Sequence, residues 1–226
     1  MPSITTTAAT NNDESNNKKR VKDVGNEVIE EDKKEEDEED VNNNENHKKK
    51  PKPSSAVVLN ALETQDGESV DAATALTGKT VILYFSSNWC GACKRFTPLL
   101  AALYEQAQEE AADEDNDNMT FEIVYVSSDA TKEDCESYHQ QNHGDWLRIP
   151  FDAPLRNELK KTFGVFAGSE QSDFPDTKRR SGIPTLVVIR QDGSECDLLD
   201  CDSSDVIKEV ETKGPSFMNK WEQYKW

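Results

Sequence analysis

Large apolar side chains are scarce at the start of this chain and periodic along the rest. Residues 1–55 are filled with Asn, Glu, Asp, Lys and Thr. Such a segment buries too little apolar surface to offset the entropy of ordering and is expected to be a disordered, charged tail. From Ala56 onward apolar runs recur at the spacing of strands and helices. Val57-Val58-Leu59 and the segment around Val70 flank Gln65-Asp66-Gly67-Glu68, a strand, Asp-Gly turn and strand. Thr80–Phe85 is a continuous β-branched and aromatic run, the pattern of a central strand covered on both faces. Phe96, Leu99, Leu100, Leu103 and Tyr104 then fall at three-to-four spacing and predict an amphipathic helix over 93–110, which Pro98 is expected to kink.

Downstream, the acidic stretch 113–118 reads as a solvated loop and Phe121–Val126 as a second buried strand. Helices are expected over 131–141 and 155–163. Thr185–Ile189 is a further strand, turned at Gln191-Asp192-Gly193 into a partner near Leu198-Leu199. Helical turns over 206–210 and 217–224 close the chain. Strands alternating with helices, then a hairpin, describe an α/β sandwich with a central mixed sheet flanked by helices, one domain spanning 56–226. About 170 residues suffice for a single core.

The net charge of −19 divides unevenly. The tail carries 14 acidic and 10 basic groups, leaving 31 acidic and 16 basic residues, and so about −15, on the domain. That surface repels nucleic acid and anionic membrane, so neither is an expected partner. No window has the apolar length of a membrane span, and the first residues lack the apolar core of a secretory signal. A cytoplasmic setting is therefore expected. The clusters at 18–22 and 48–52 also match the Lys/Arg-rich pattern of nuclear import signals. In a reducing compartment five cysteines read as thiols, redox groups or ligands rather than as a structural disulfide framework.

The chemistry concentrates at Trp89-Cys90-Gly91-Ala92-Cys93, where a buried strand ends and a helix begins. A sulfur at a helix N-terminus faces unsatisfied backbone N–H groups and the positive end of the macrodipole, which favours the thiolate. Cys90 is the expected nucleophile. Two intervening residues in a helical turn bring Cys93 close enough to attack a mixed disulfide, as a resolving thiol. Half of a zinc site is the competing reading, but it needs a second pair, and Cys196 and Cys201 are separated by four residues rather than two. No metal or bound cofactor is expected beyond the Cys90–Cys93 redox couple. Gly182-Ile183-Pro184-Thr185 precedes a buried strand. A cis bond at Pro184 presents the backbone of Ile183 to an extended substrate beside Cys90, whereas a trans bond marks a strand-initiating proline.

Tyr84–Cys90 followed by Cys93–Pro98, Val126-Ser127-Ser128-Asp129, Trp146-Leu147-Arg148-Ile149-Pro150-Phe151 and Gly182–Leu186 occur in the order found in nucleoredoxins and tryparedoxins. The chain resembles this branch of the thioredoxin superfamily over 56–226. The resemblance implies a thioredoxin-like fold and either a protein-disulfide reductase or a redox-regulated binding protein with little turnover. Its implied partners are disulfide-containing proteins and an upstream thiol reductant. Trp89, Gly91, Ala92, Ile183 and Pro184 are its expected substrate contacts. Three departures stand out. Gly91-Ala92 replaces the family's Pro-Pro, Tyr84 stands where many thioredoxins carry a buried acid, and 166–181 is an insertion. The basic end of that insertion, Lys178-Arg179-Arg180, has two readings: it attracts an acidic substrate segment or a thiol cosubstrate, or it is a solvated surface loop. Cys135 is read as a buried inert thiol, Cys196 and Cys201 as surface thiols with a disulfide between them as the alternative, and His47, His139 and His143 as solvated. Trp146 is read as packing.

Overall fold

The computed structural model describes residues 58–113 and 119–226. The expected tail, with His47 and the two basic clusters, lies outside the described residues, as does most of the acidic loop. Seven strands form one mixed sheet in the order β2-β1-β5-β4-β3-β6-β7. They are β1 (Leu62–Glu63), β2 (Ser69–Val70), β3 (Thr80–Ser86), β4 (Phe121–Ser127), β5 (Leu147–Arg148), β6 (Thr185–Ile189) and β7 (Glu195–Asp200). β3 is parallel to β4 and antiparallel to β6, and β5 is parallel to β4 and antiparallel to β1, so the sheet changes sense at both strands. All seven residues of β3 and all seven of β4 are buried, so helices must cover both faces.

Alternation along these strands sorts the core into two layers. Ile82, Tyr84, Ile123, Tyr125, Leu186 and Val188 face α2 (Gly91–Asp113), α3 (Lys132–Asn142), α5 (Ser204–Lys213) and the 3₁₀ segment Gly214–Tyr224. Val81, Leu83, Phe85, Val124, Val126 and Val187 face α1 (Ala72–Leu76) and α4 (Pro154–Phe163). Helix α2 runs unbroken through Pro98. The opening hairpin forms around Asp66-Gly67, but its first strand is Leu62–Glu63 rather than 57–59. The turn closes where Thr64 N donates to Glu68 O (2.9 Å), so pairing starts at the adjoining residues and Val58 is left exposed. Gly67 and Gly193 both adopt positive φ, 81° and 73°, as their Asp-Gly turns require.

His139 and His143 are buried, which corrects the expectation of solvated histidines. Helix α3 is polar in sequence, yet Gln65 reaches over it to the carbonyls of His139, His143 and Gly144, and Trp146 closes the other side. Trp146 Nε1 donates to His143 Nδ1 (3.2 Å), and Arg148 NH1 lies 3.3 Å from His139 Nδ1. Both Nε2 atoms are buried without a partner. Burial, and then the Arg148 guanidinium, hold the His139 imidazole down at about 3, while burial followed by repulsion from His139 holds His143 well below its ordinary range.

Because the folded-state values lie below the unfolded 6.5, the unfolded chain takes up these protons first. The stabilisation is therefore complete above about pH 6.5 and is lost as pH falls towards the folded values. Denaturant titrations at pH 7.5 and 5.5, a window above most carboxylate titration, should differ by about 1.4 kcal/mol per histidine. Equal stability at the two pH values would contradict the buried neutral pair.

Candidate active site

The end of β3 and the start of α2 fix the first cysteine. Cys90 N donates to Ser87 O (3.3 Å), and Cys90 O accepts the first helical bond from Lys94 N (3.0 Å). Cys93 N donates to Cys90 Sγ (3.2 Å), so the sulfur occupies the place of the side-chain oxygen in an N-cap. On its other side Cys90 Sγ lies 3.7 Å from the carbonyl of Ile183, whose bond to Pro184 is cis. The alternative of a trans, strand-initiating proline is thus removed. Cys90 keeps 7% of its surface exposed and Cys93 none. Burial, then the hydrogen bond with Cys90, push the Cys93 thiol well above its ordinary range.

Polar groups beneath the cysteines occupy positions that packing alone would give to hydrocarbon. Tyr84 and Ser86 share one face of β3, and α2 descends over that face. Tyr84 OH bonds Thr97 Oγ1 (2.7 Å), and Thr97 Oγ1 bonds Tyr138 OH (2.7 Å). One helical turn before Thr97 is Cys93, and two residues after Tyr84 is Ser86, so the same descent sets Cys93 over Ser86. The buried hydroxyl of Ser86 has no hydrogen-bond partner and lowers the cost of a Cys93 thiolate. Asp129, 4% exposed, accepts from Ser87 Oγ, Asn88 N, Tyr125 OH and Ser127 Oγ at 2.6–2.8 Å. It locks the turn between β3 and α2 against the end of β4. Trp89 Nε1 donates to Ser128 O (3.2 Å), while the residue as a whole remains 54% exposed.

Of the residues singled out in the sequence, Trp89, Cys90, Gly91, Ala92, Cys93, Ile183 and Pro184 come together around one surface. Cys135, Cys196 and Cys201 do not join them; all five cysteines are free thiols. Cys135 is buried as expected and Cys196 is half-buried, but Cys201 is fully buried, which corrects its reading as a surface thiol. Its backbone N–H donates to Pro184 O (3.1 Å), drawing the end of β7 inward. Among the described residues no three His, Cys, Asp or Glu side chains gather as a metal site, and no helix is long and apolar enough to cross a membrane. Ser86, Thr97 and Asp129 are legible in the sequence only as parts of the family motifs, without a role of their own, and Tyr138 is not singled out. The signal for Ser86 was the shared phase of Ile82, Tyr84 and Ser86.

A family model described as thioredoxin-like matches residues 78–195, just over half of the chain. The chain belongs to the thioredoxin-like family. Within this thioredoxin-like group it is 31% identical to probable nucleoredoxin 1 of Arabidopsis thaliana over 175 residues, covering 72% of this chain and 26% of that one. It is 37% identical to the tryparedoxin of Trypanosoma brucei brucei over 119 residues, 52% of this chain and 65% of that one. The chain therefore spans about a quarter of the nucleoredoxin's length and just under two thirds of the tryparedoxin's. Among solved structures, thioredoxin from Wuchereria bancrofti is 31% identical with a TM-score of 0.47, covering 74% of this chain and 94% of that one. The resemblance to nucleoredoxins and tryparedoxins, and the thioredoxin-like fold it implied, are borne out. The chain is accordingly a member of a thiol oxidoreductase family.

Exposure and the raised Cys93 thiol lead to one expected outcome. In the reduced protein at pH 7, iodoacetamide followed by peptide mass mapping should find Cys90 modified first and Cys93 at least about tenfold more slowly. Faster labelling of Cys93 would reverse their order.

Proposed function

We propose that this chain is a protein-disulfide reductase in which Cys90 attacks and Cys93 resolves. The observation that carries the reading is the Cys90 sulfur held between the Cys93 N–H and the Ile183 carbonyl at the exposed start of a helix. The Cys90 thiolate attacks one sulfur of the substrate disulfide. The S–S bond breaks, a Cys90–substrate disulfide forms, and the first substrate sulfur leaves as a thiolate that takes up a proton. Cys93, deprotonated, then attacks Cys90 Sγ. The second substrate thiol leaves, and the two electrons given to the substrate are balanced by formation of the Cys90–Cys93 disulfide. A thiol reductant upstream returns them.

The resolving step is the harder one, because a buried thiol must ionise with no carboxylate at Tyr84 to assist it. The reading assigns that support to the Ser86 hydroxyl, which donates to the developing Cys93 thiolate, with the Tyr84–Thr97–Tyr138 hydroxyl chain polarising the same pocket. Trp89 and the Ile183 backbone serve as substrate contacts on either side of Cys90, an extended segment pairing with the latter. The two basic clusters of the first 55 residues match nuclear import signals and so support a nuclear, beside a cytoplasmic, setting for this activity.

A coupled assay of protein-disulfide reduction tests the assignment. Cys90→Ser should abolish turnover, and Cys93→Ser should trap a stoichiometric mixed disulfide through Cys90. A wild-type protein that forms the Cys90–Cys93 disulfide but does not turn over would favour a redox-regulated binding role instead. Ser86→Ala should leave the rate of mixed-disulfide formation unchanged and slow its resolution about tenfold or more, as expected for a lost hydrogen bond to a charged group. Stopped-flow Trp fluorescence would resolve the two steps. An unaltered second step would remove Ser86 from the mechanism.

A further inference from the structure

Beside Trp89 the surface opens into a cleft of about 480 Å³. Its floor is the turn Ser128–Ala130 after β4. One wall is α4 and the other is the 166–181 insertion, which contributes Glu170, Asp173 and Phe174. The insertion is a built wall. Phe174 is buried with its ring 4.8 Å from that of Phe166. Glu170 accepts from the buried Lys160 Nζ and from Ala167 N. Arg180 grips Glu195 of β7 with both terminal nitrogens.

Lys178, Arg179 and Arg180 do not line the cleft, and Arg180 is committed to Glu195. Three carboxylates line it instead, those of Asp129, Glu170 and Asp173, against the single guanidinium of Arg156. Asp129 is saturated by its four donors, and Glu170 is neutralised by Lys160. Arg156 is held to the floor through Ser127 O and Asp129 O and lies 4.0 Å over the Phe151 ring. Asp173 is exposed at the rim and has no ion-pair partner among the described residues. Ser128 supplies a separate observation: it is 4% exposed, lines the cleft, and its hydroxyl has no hydrogen-bond partner.

We propose that this cleft is a recognition subsite for a Lys or Arg side chain flanking the reactive cysteine of a protein substrate. The Asp173 carboxylate pairs with that cation and the exposed Trp89 indole offers it an aromatic face at the mouth, while the unpartnered Ser128 hydroxyl beneath the floor favours a polar over an apolar head group there. The acidic domain surface draws the same partner over longer range. The assignment rests on the reductase reading, since it takes Cys90 as the atom the substrate reaches.

Three disulfide peptides identical but for two flanking Lys, Glu or Gln residues test it on the full chain, with dithiothreitol as reductant. Reduction is followed alongside equilibrium binding of the matching peptides with Ala in place of Cys, read from Trp fluorescence. The Lys peptide should show kcat/KM about fivefold above the Glu peptide, mainly through KM, and bind correspondingly tighter. The gap should close at 0.5 M salt. Asp173→Lys should invert the preference, and Asp173→Asn should narrow it, with the Gln peptide reduced as before. Equal handling of the Lys and Glu peptides, or a preference unmoved by Asp173→Lys, would overturn the subsite while leaving reduction of the Gln peptide intact. A binding preference for Lys without reduction of any peptide would support the subsite and overturn the reductase reading.

Discussion

Strand β3 has no solvent face. Thr80 to Ser86 are buried without interruption, paired to β4 on one side and β6 on the other. A strand so enclosed fixes where its chain must emerge, and the residues that follow have only one turn, Ser87 to Trp89, before α2 begins. That turn is locked by Asp129, which reaches across from the end of β4 and takes two of its four hydrogen bonds from Ser87 and Asn88. The position of the Cys90 sulfur is thus a property of the sheet rather than of a flexible loop. Sites carried on rigid elements hold their geometry in this way.

The same enclosure sets the difference between the two thiols. Cys90 sits at the last point still open to the surface, and Cys93, one turn further, is sealed beneath α2 against Ser86. Hydroxyl groups provide the polar environment that a buried carboxylate provides in many thioredoxins. A hydroxyl chain polarises without adding a second negative charge beside the thiolate, so the site avoids the repulsion that a buried acid and a buried thiolate impose on each other.

Much of this was legible in the sequence because it depends on local pattern. The Cys90–Cys93 spacing at a strand-to-helix junction and Pro184 before β6 carry their meaning within a few residues. The strands β3, β4 and β6 announce themselves as apolar runs, and their helices by periodicity. What escaped reading depends on residues far apart in the chain. His139 lies on a helix whose sequence is almost wholly polar and His143 caps its end, and both are buried because Gln65, Trp146 and Arg148 fold over them. Cys201 follows a half-exposed strand and is drawn inward by one backbone bond to Pro184. Ser86 was hidden by the completeness of burial: its shared phase with Ile82 and Tyr84 is in the sequence, but in a strand covered on both faces that phase does not say which helices it meets.

The pairing of Lys160 with Glu170 has a consequence for how this chain could have diverged or be re-engineered. Lys160 is fully buried on α4, within the scaffold common to the fold, while its counter-charge is carried by the insertion. Burial lowers the lysine's affinity for its proton, and Glu170 offsets that effect. Excising or exchanging segment 166–181 would therefore strand an ammonium group in the interior, at several kcal/mol. The segment and the helix form one exchangeable unit: grafting this wall onto another member of the family would require moving the lysine with it, and removing it here would require an apolar side chain at position 160.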